Sequence, residues 1–169
     1  ETGQHLVAAD QEEHLGLERV LGAVLEERFK ERVVGGVLED GLQAVYGPSG
    51  TTGPYPYTGG LRFDVNAAAA AGQRVSGIEV YDNASKSWKP LDTARTYKLF
   101  VLSFNATGGD GYKTLAAVPD ARRLDIGVLD SDVFFNYIER QPVDAVSGLP
   151  LLSRLATDLY STRSFQGGR

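Results

Sequence analysis

Cysteine and methionine are both absent from these 169 residues, histidine occurs twice and tryptophan once. Without Cys, neither a disulfide framework nor a thiolate metal site can form. The two histidines, His5 and His14, sit nine residues apart, which is not the spacing of a helical ligand pair. Both fall in a polar N-terminal stretch and read as solvated. A membrane helix needs about 18 consecutive apolar residues. No such run is present, and the longest, residues 67–71, is five alanines. An excess of basic charge is missing too: the net charge is -5, which argues against a nucleic-acid backbone binder. A single nucleotide stays open, because one site needs only local positive charge. The chain starts Glu1-Thr2-Gly3 and has no initiator Met. The expectation is that a leader or upstream domain was removed, or that the first residues were added.

What is present is ordinary for one globular domain with a sizeable core: 42% apolar and 23% charged residues. Glycine is frequent, at 20 residues, so tight turns should be common. Past residue 14, Leu17, Val20, Leu21, Val24, Leu25 and Phe29 recur at three- and four-residue spacing. Val33, Val34, Val37, Leu38, Leu42 and Val45 continue the pattern. This predicts a long N-terminal amphipathic helix. Gly35-Gly36 interrupts the stripe, so two helices and one kinked helix are both open. The stripe can serve core packing or a partner interface.

Residues 47–60 carry three prolines and no periodicity, hence a loop. Residues 61–65 and 75–81 alternate as half-buried strands, residues 82–87 read as a hairpin turn, and residues 97–102 as a buried strand. Residues 130–139 open with capping residues and predict a helix. Residues 163–169 are polar and Gly-rich. Strands in the middle with helices on either side predict an α+β fold of mixed sheet layers flanked by helices.

The most informative stretch is residues 103–112, Ser-Phe-Asn-Ala-Thr-Gly-Gly-Asp-Gly-Tyr. Phe104 follows an apolar strand, where a ring can project beside a turn and offer a stacking face for a base. Gly108, Gly109 and Gly111 keep side chains out of the way of an approaching ligand. Asp110 is the only charge among them and is placed to accept hydrogen bonds from paired hydroxyls. Taken alone, Gly-Gly-Asp-Gly reads better as a Gly-rich hairpin loop with Asp at a turn position.

The wider context is more specific. Tyr57-Thr-Gly-Gly-Leu-Arg-Phe-Asp-Val65 resembles a recurring block of the 5'-nucleotidase family's C-terminal domain. So do Gly72-Gln-Arg-Val-Ser-Gly-Ile-Glu-Val80, Trp88-Lys-Pro-Leu-Asp-Thr-Ala-Arg-Thr-Tyr97 and the stretch from Phe104 to Tyr112. The blocks come in that family's order and at about its spacing. Val37-Leu-Glu-Asp-Gly-Leu42 resembles the helix before them. The wording at 104–112 is close to the periplasmic bacterial UDP-sugar hydrolase/5'-nucleotidase branch. The resemblance covers roughly residues 33–140. It implies that Phe104 stacks on a nucleobase, that Asp110 holds ribose hydroxyls, and that Gly108, Gly109 and Gly111, beside Asn105, let a nucleoside lie against the loop. It divides the chain into a helical segment at 1–32 standing outside the resemblance, a C-terminal-domain-like unit at 33–160, and a polar tail at 161–169.

Parts of the family's pattern are missing. Its two divalent metals belong to a metallophosphoesterase domain, where they activate water and neutralise phosphate. No cofactor is expected in this chain. The carboxylates are scattered, without a general acid/base pair, so no catalytic residue is assigned. The Asn-Gly-Gly-Gly-x-Arg block with its phosphate-binding arginine is absent, as is the Pro-Phe-Gly block that supplies a second stacking Phe; that Phe would fall near Val20. One stacking face contributes only about 1–3 kcal/mol, so this half-site should bind weakly. Arg62 could meet a phosphate but reads better as a strand-face arginine in solvent. Trp88 could stack a ligand but reads better as a partly buried structural residue. The sequons at Asn83 and Asn105 carry no meaning in a bacterial protein.

Three functions compete. The chain is the nucleoside- or nucleotide-binding portion of a secreted, periplasmic or cell-surface hydrolase, partnered by a metallophosphoesterase domain or chain. Alternatively it is a degenerate domain reused as a subunit of an extracellular homo-oligomer or filament, its sheet edge completed by another chain. The third is a standalone nucleoside-binding module. Neither nucleic acid nor a membrane span figures among the expected partners.

Overall fold

The computed structural model of the chain describes residues 5–9, 23–27, 31–48 and 50–167, and for 5–9, 23–27, 31 and 32 it is the backbone that is described. Two sheets and one long helix build a mixed α and β fold. Helix α1 (Glu31–Tyr46) runs unbroken through Gly35 and Gly36, so the division into two helices at these glycines does not occur. Val34, Val37, Leu38, Leu42 and Val45 are all buried on it, at the spacing that places side chains on one helix face.

Upstream of α1 the helical expectation fails. β1 (His5–Ala9) and β2 (Ala23–Glu27) are strands. The other expected stripe positions, Leu17, Val20, Leu21 and Phe29, lie outside the described residues, as does His14. The reason for β2 is non-local: Val24 pairs with Phe100 and Leu25 with Leu99 on strand β7, Tyr97–Val101. Backbone N–H and C=O groups satisfied across a ladder outweigh a short-range pattern that fits either period.

The first sheet runs β3-β1-β7-β2-β8, with β3 at Tyr57–Gly59 and β8 at Arg123–Asp125. Its β1–β3 pair is parallel and the others antiparallel. The second sheet runs β6-β5-β4-β9, with β4 at Leu61–Asn66, β5 at Val75–Asp82, β6 at Ser87–Pro90 and β9 at Thr162–Gln166. β4 alternates as expected: Leu61, Phe63 and Val65 turn inward, Arg62 and Asp64 outward. β7 does the same, with Tyr97, Leu99 and Val101 buried. These strands, α1 and the segment around Ala106, Tyr112, Leu115 and Val118 form one apolar core.

The segment that reads as a polar tail is in fact β9, parallel to β4. Charges on the outer face of the sheet hold it there. The Arg163 Nε donates to Asp64 Oδ1 at 2.9 Å, and its Nη1 lies 2.9 Å from Glu79 Oε2. Glu79 also accepts from Arg62 Nε at 2.6 Å, and the Arg62 guanidinium lies 4.5 Å from the Trp88 ring centroid. Arg62 is therefore mostly covered and ion-paired, not solvated on the strand face. Trp88 is the partly buried structural residue the sequence suggests, packed edge-on with Tyr81.

Hydrogen bonds from Arg163, with Ser164 assisting, hold the Asp64 carboxyl below its usual range. A depressed carboxylate pKa stabilises the fold above the unfolded value, about pH 4, and that stabilisation is lost as pH falls through the lower folded value. Asp64→Asn is accordingly expected to unfold at a lower temperature than wild type near neutral pH. The gap should close as pH falls below the Asp64 folded pKa. Melting curves of both proteins across pH check this, and a gap that persists in strong acid contradicts it.

Candidate nucleoside-binding site

The loop after β7 is built from short helical turns. α2 (Ser103–Ala106) carries Phe104 on its outer side, 57% exposed, while Asn105 turns inward and is 3% exposed. Thr107 Oγ1 donates to the Phe104 carbonyl at 2.9 Å, and Gly108 N–H donates to the Asn105 carbonyl at 2.9 Å, which closes the turn. The chain then passes through left-handed backbone at Gly108 (φ 96), Asp110 (φ 56) and Gly111 (φ 87). Glycine takes such angles without a Cβ penalty, and Asp is among the few other residues that tolerate them.

Gly109 serves close approach. A Cβ there would stand 2.5 Å from Cε1 of Phe104, so the exposed ring packs directly against this glycine. A ring seated on a glycine keeps its other face free for stacking by a planar ligand. Asp110 follows directly, half-buried. The structure thus brings Phe104, Gly109 and Asp110 together at the surface. It leaves Gly108 and Gly111 as the bends that shape the loop, and it turns Asn105 into the core. The same burial closes the Asn105 sequon.

Three anchors hold the loop from behind. Tyr112 is 1% exposed and its hydroxyl donates to the Pro54 carbonyl at 2.7 Å. Burial pushes the Tyr112 hydroxyl well above its ordinary pKa, and the charges of Asp110 and Asp40 push it the same way. It is therefore a neutral donor at any working pH. Asp40 on α1 accepts the Thr114 N–H at 2.6 Å, at the start of helix α3 (Lys113–Ala116). At the other end of α3 the Arg123 guanidinium donates to the Leu115 and Ala116 carbonyls at 2.9 and 2.8 Å. Both residues bear on the candidate site, yet neither Asp40 nor Arg123 stands out in the sequence as a site residue.

The signal for Asp40 lies in Leu38-Glu-Asp-Gly-Leu42, where every residue carries a separate contact. Leu38 and Leu42 enter the core. Glu39 accepts from Gly72 N–H at 3.1 Å and Val75 N–H at 2.7 Å, fixing the turn before β5. Asp40 holds α3. Gly41 leaves room for Tyr112: a Cβ there would be 2.7 Å from its hydroxyl and 2.8 Å from the Pro54 carbonyl. Among the described residues, no group of three His, Cys, Asp or Glu side chains gathers as a metal site.

The sequence profile of the 5'-nucleotidase C-terminal domain matches residues 12–117. This chain belongs to that family. The 5'-nucleotidase C-terminal domain profile thus takes in α1, both sheets apart from β1, β8 and β9, and the whole Phe104–Tyr112 loop. Among curated relatives, the NAD 5'-nucleotidase of Haemophilus influenzae is 31% identical over 110 residues, 63% of this chain and 18% of that protein. Protein UshA of Yersinia enterocolitica is 39% identical over 77 residues, 45% of this chain and 12% of that protein. The solved structure of the Haemophilus influenzae NAD nucleotidase superposes with a TM-score of 0.61 at 28% identity, covering 69% of this chain and 21% of that one. This 5'-nucleotidase C-terminal domain therefore spans between 12% and 21% of these relatives and corresponds to their C-terminal part. No helix among the described residues is long and apolar enough to cross a membrane.

Proposed function

We propose that this 5'-nucleotidase C-terminal domain binds the nucleoside end of a nucleotide and presents its phosphate ester to a separate metallophosphoesterase domain or chain. The observation that carries this reading is the exposed Phe104 ring laid over Gly109 beside Asp110, on a loop locked by Tyr112, Asp40 and Arg123. The base stacks on Phe104. The ribose hydroxyls donate to Asp110, whose left-handed backbone sets it at the loop crest. Asn105 supports the loop from inside and does not touch the ligand. Hydrolysis belongs to the partner domain, and this chain performs no chemistry alone. On its resemblance to the periplasmic branch, we assign it to the periplasm or the cell surface.

Calorimetric titration with adenosine tests the reading. Weak, saturable heat is expected from the wild-type chain. Phe104→Ala should weaken binding about 5- to 150-fold, the equivalent of losing one stacking face worth about 1–3 kcal/mol. No heat at millimolar adenosine, or equal binding by the variant, overturns it.

A further inference from the structure

The surface least like that of a finished monomer lies far along the chain from the nucleoside loop. Between β8 and β9 the chain forms helix α4 (Asp130–Glu139), as the sequence predicts, and then a hairpin closed by the Val143–Pro150 bridge. The arm is locally well ordered. Asp144 Oδ2 accepts from Ser147 N–H and Oγ at 2.8 and 2.6 Å, and Leu151 N–H donates to the Pro142 carbonyl at 2.7 Å. Yet no residue of α4 is buried. Eleven large apolar side chains from Leu124 to Leu155 are at least half exposed, among them Phe134, Phe135, Leu149 and Val146, the last at 95%.

Half-exposed side chains of this size each show on the order of 100 Å² of apolar surface, so the arm offers on the order of 1,000 Å². A stable dimer needs about 800 Å² from each partner, and the exposed apolar surface summed over these side chains reaches that figure. Its order is local, so covering it costs little rearrangement. We infer that α4 and the following hairpin form an isologous interface with a second copy of this chain, in which Phe134, Phe135 and Val146 of each copy pack against the arm of the other. A two-fold arrangement satisfies both arms at once and closes the assembly.

The test is the solution mass of the 169-residue chain by light scattering at increasing concentration. Wild type is expected at twice the 18.2 kDa chain mass, and Phe134→Asp/Phe135→Asp at one chain mass with an unchanged circular dichroism spectrum. Val146→Asp, at a fully exposed tip, repeats the test if the double variant fails to fold. Three results overturn the proposal: a wild-type monomer at about 100 µM, which lies well above typical dimer dissociation constants and would leave the arm to a different partner; a dimer that survives the Val146 substitution; or open-ended aggregation.

Discussion

Gly41→Ala is expected to lower the thermal unfolding midpoint, while Gly35→Ala, six residues earlier on the same helix, is expected to raise it. Both replace a glycine inside α1, and on propensity alone each should gain about 1 kcal/mol. The two surroundings differ. At Gly35 a Cβ would meet only Ile78 Cδ1 at 3.8 Å, an ordinary contact. At Gly41 it would stand 2.7 Å from the Tyr112 hydroxyl, 2.8 Å from the Pro54 carbonyl and 3.0 Å from Pro56 Cδ.

One of those neighbours is backbone and another is the buried hydroxyl that bonds it. Neither can move without breaking the Tyr112–Pro54 hydrogen bond. Overpacking costs about 1–3 kcal/mol, and an unsatisfied buried acceptor a further 1–3 or so. Together these exceed the propensity gain. For a chain of this length each kcal/mol shifts the midpoint by about 2–4 °C. Differential scanning calorimetry of the two variants reads the signs directly. A more stable Gly41→Ala protein would show that Tyr112 does not clamp the 47–60 loop against α1.

Gly109→Ala is expected to weaken nucleoside binding about as far as Phe104→Ala does while leaving the midpoint nearly unchanged. The new Cβ meets a ring, not backbone, and that ring is largely exposed and free to swing aside. What is lost is the pose. The ring leaves its seat over residue 109, and the stacking face no longer stands beside Asp110. Gly111→Ala makes the contrast. Its backbone is left-handed, so a Cβ there costs about 1–2 kcal/mol in stability. Adenosine titration beside a melting curve separates the two effects. A Gly109→Ala protein with wild-type affinity would mean that Phe104 stacks from some other position.

Much of the site is legible in the amino-acid order. The Phe-Asn-Ala-Thr-Gly-Gly-Asp-Gly-Tyr stretch announces itself because its glycines answer to local geometry: positive φ at 108 and 111, and a ring over 109. The strands around Phe63 and Leu99 and the helices at Glu31–Tyr46 and Asp130–Glu139 are legible because one-sided packing imposes a period of two or of 3.6. The inward turn of Asn105 is not legible. Phe104 just before it is exposed, and only the one-turn helix α2 rotates Asn105, together with Ala106, toward the core.

The other departures from expectation share a physical cause. Ala23–Glu27 carries apolar residues at spacings that suit a helix, and strand β7 decides otherwise by offering it a ladder. The sequence near Arg163 is polar enough for a loose tail, and ion pairs to Asp64 and Glu79, far earlier in the chain, hold it as a strand. Arg62 and Trp88 find each other across two strands. The amino-acid order by itself therefore determined the family, the strand and helix periods of the central region, and the glycine-shaped loop from Phe104 to Gly111. Only the tertiary structure decided which segments pair as strands, which way Asn105 faces, what locks the loop from behind, and that the arm around α4 stays uncovered. Those outcomes depend on partners distant in sequence, and a backbone hydrogen bond or a cross-strand ion pair leaves no trace in the local pattern of either residue that makes it.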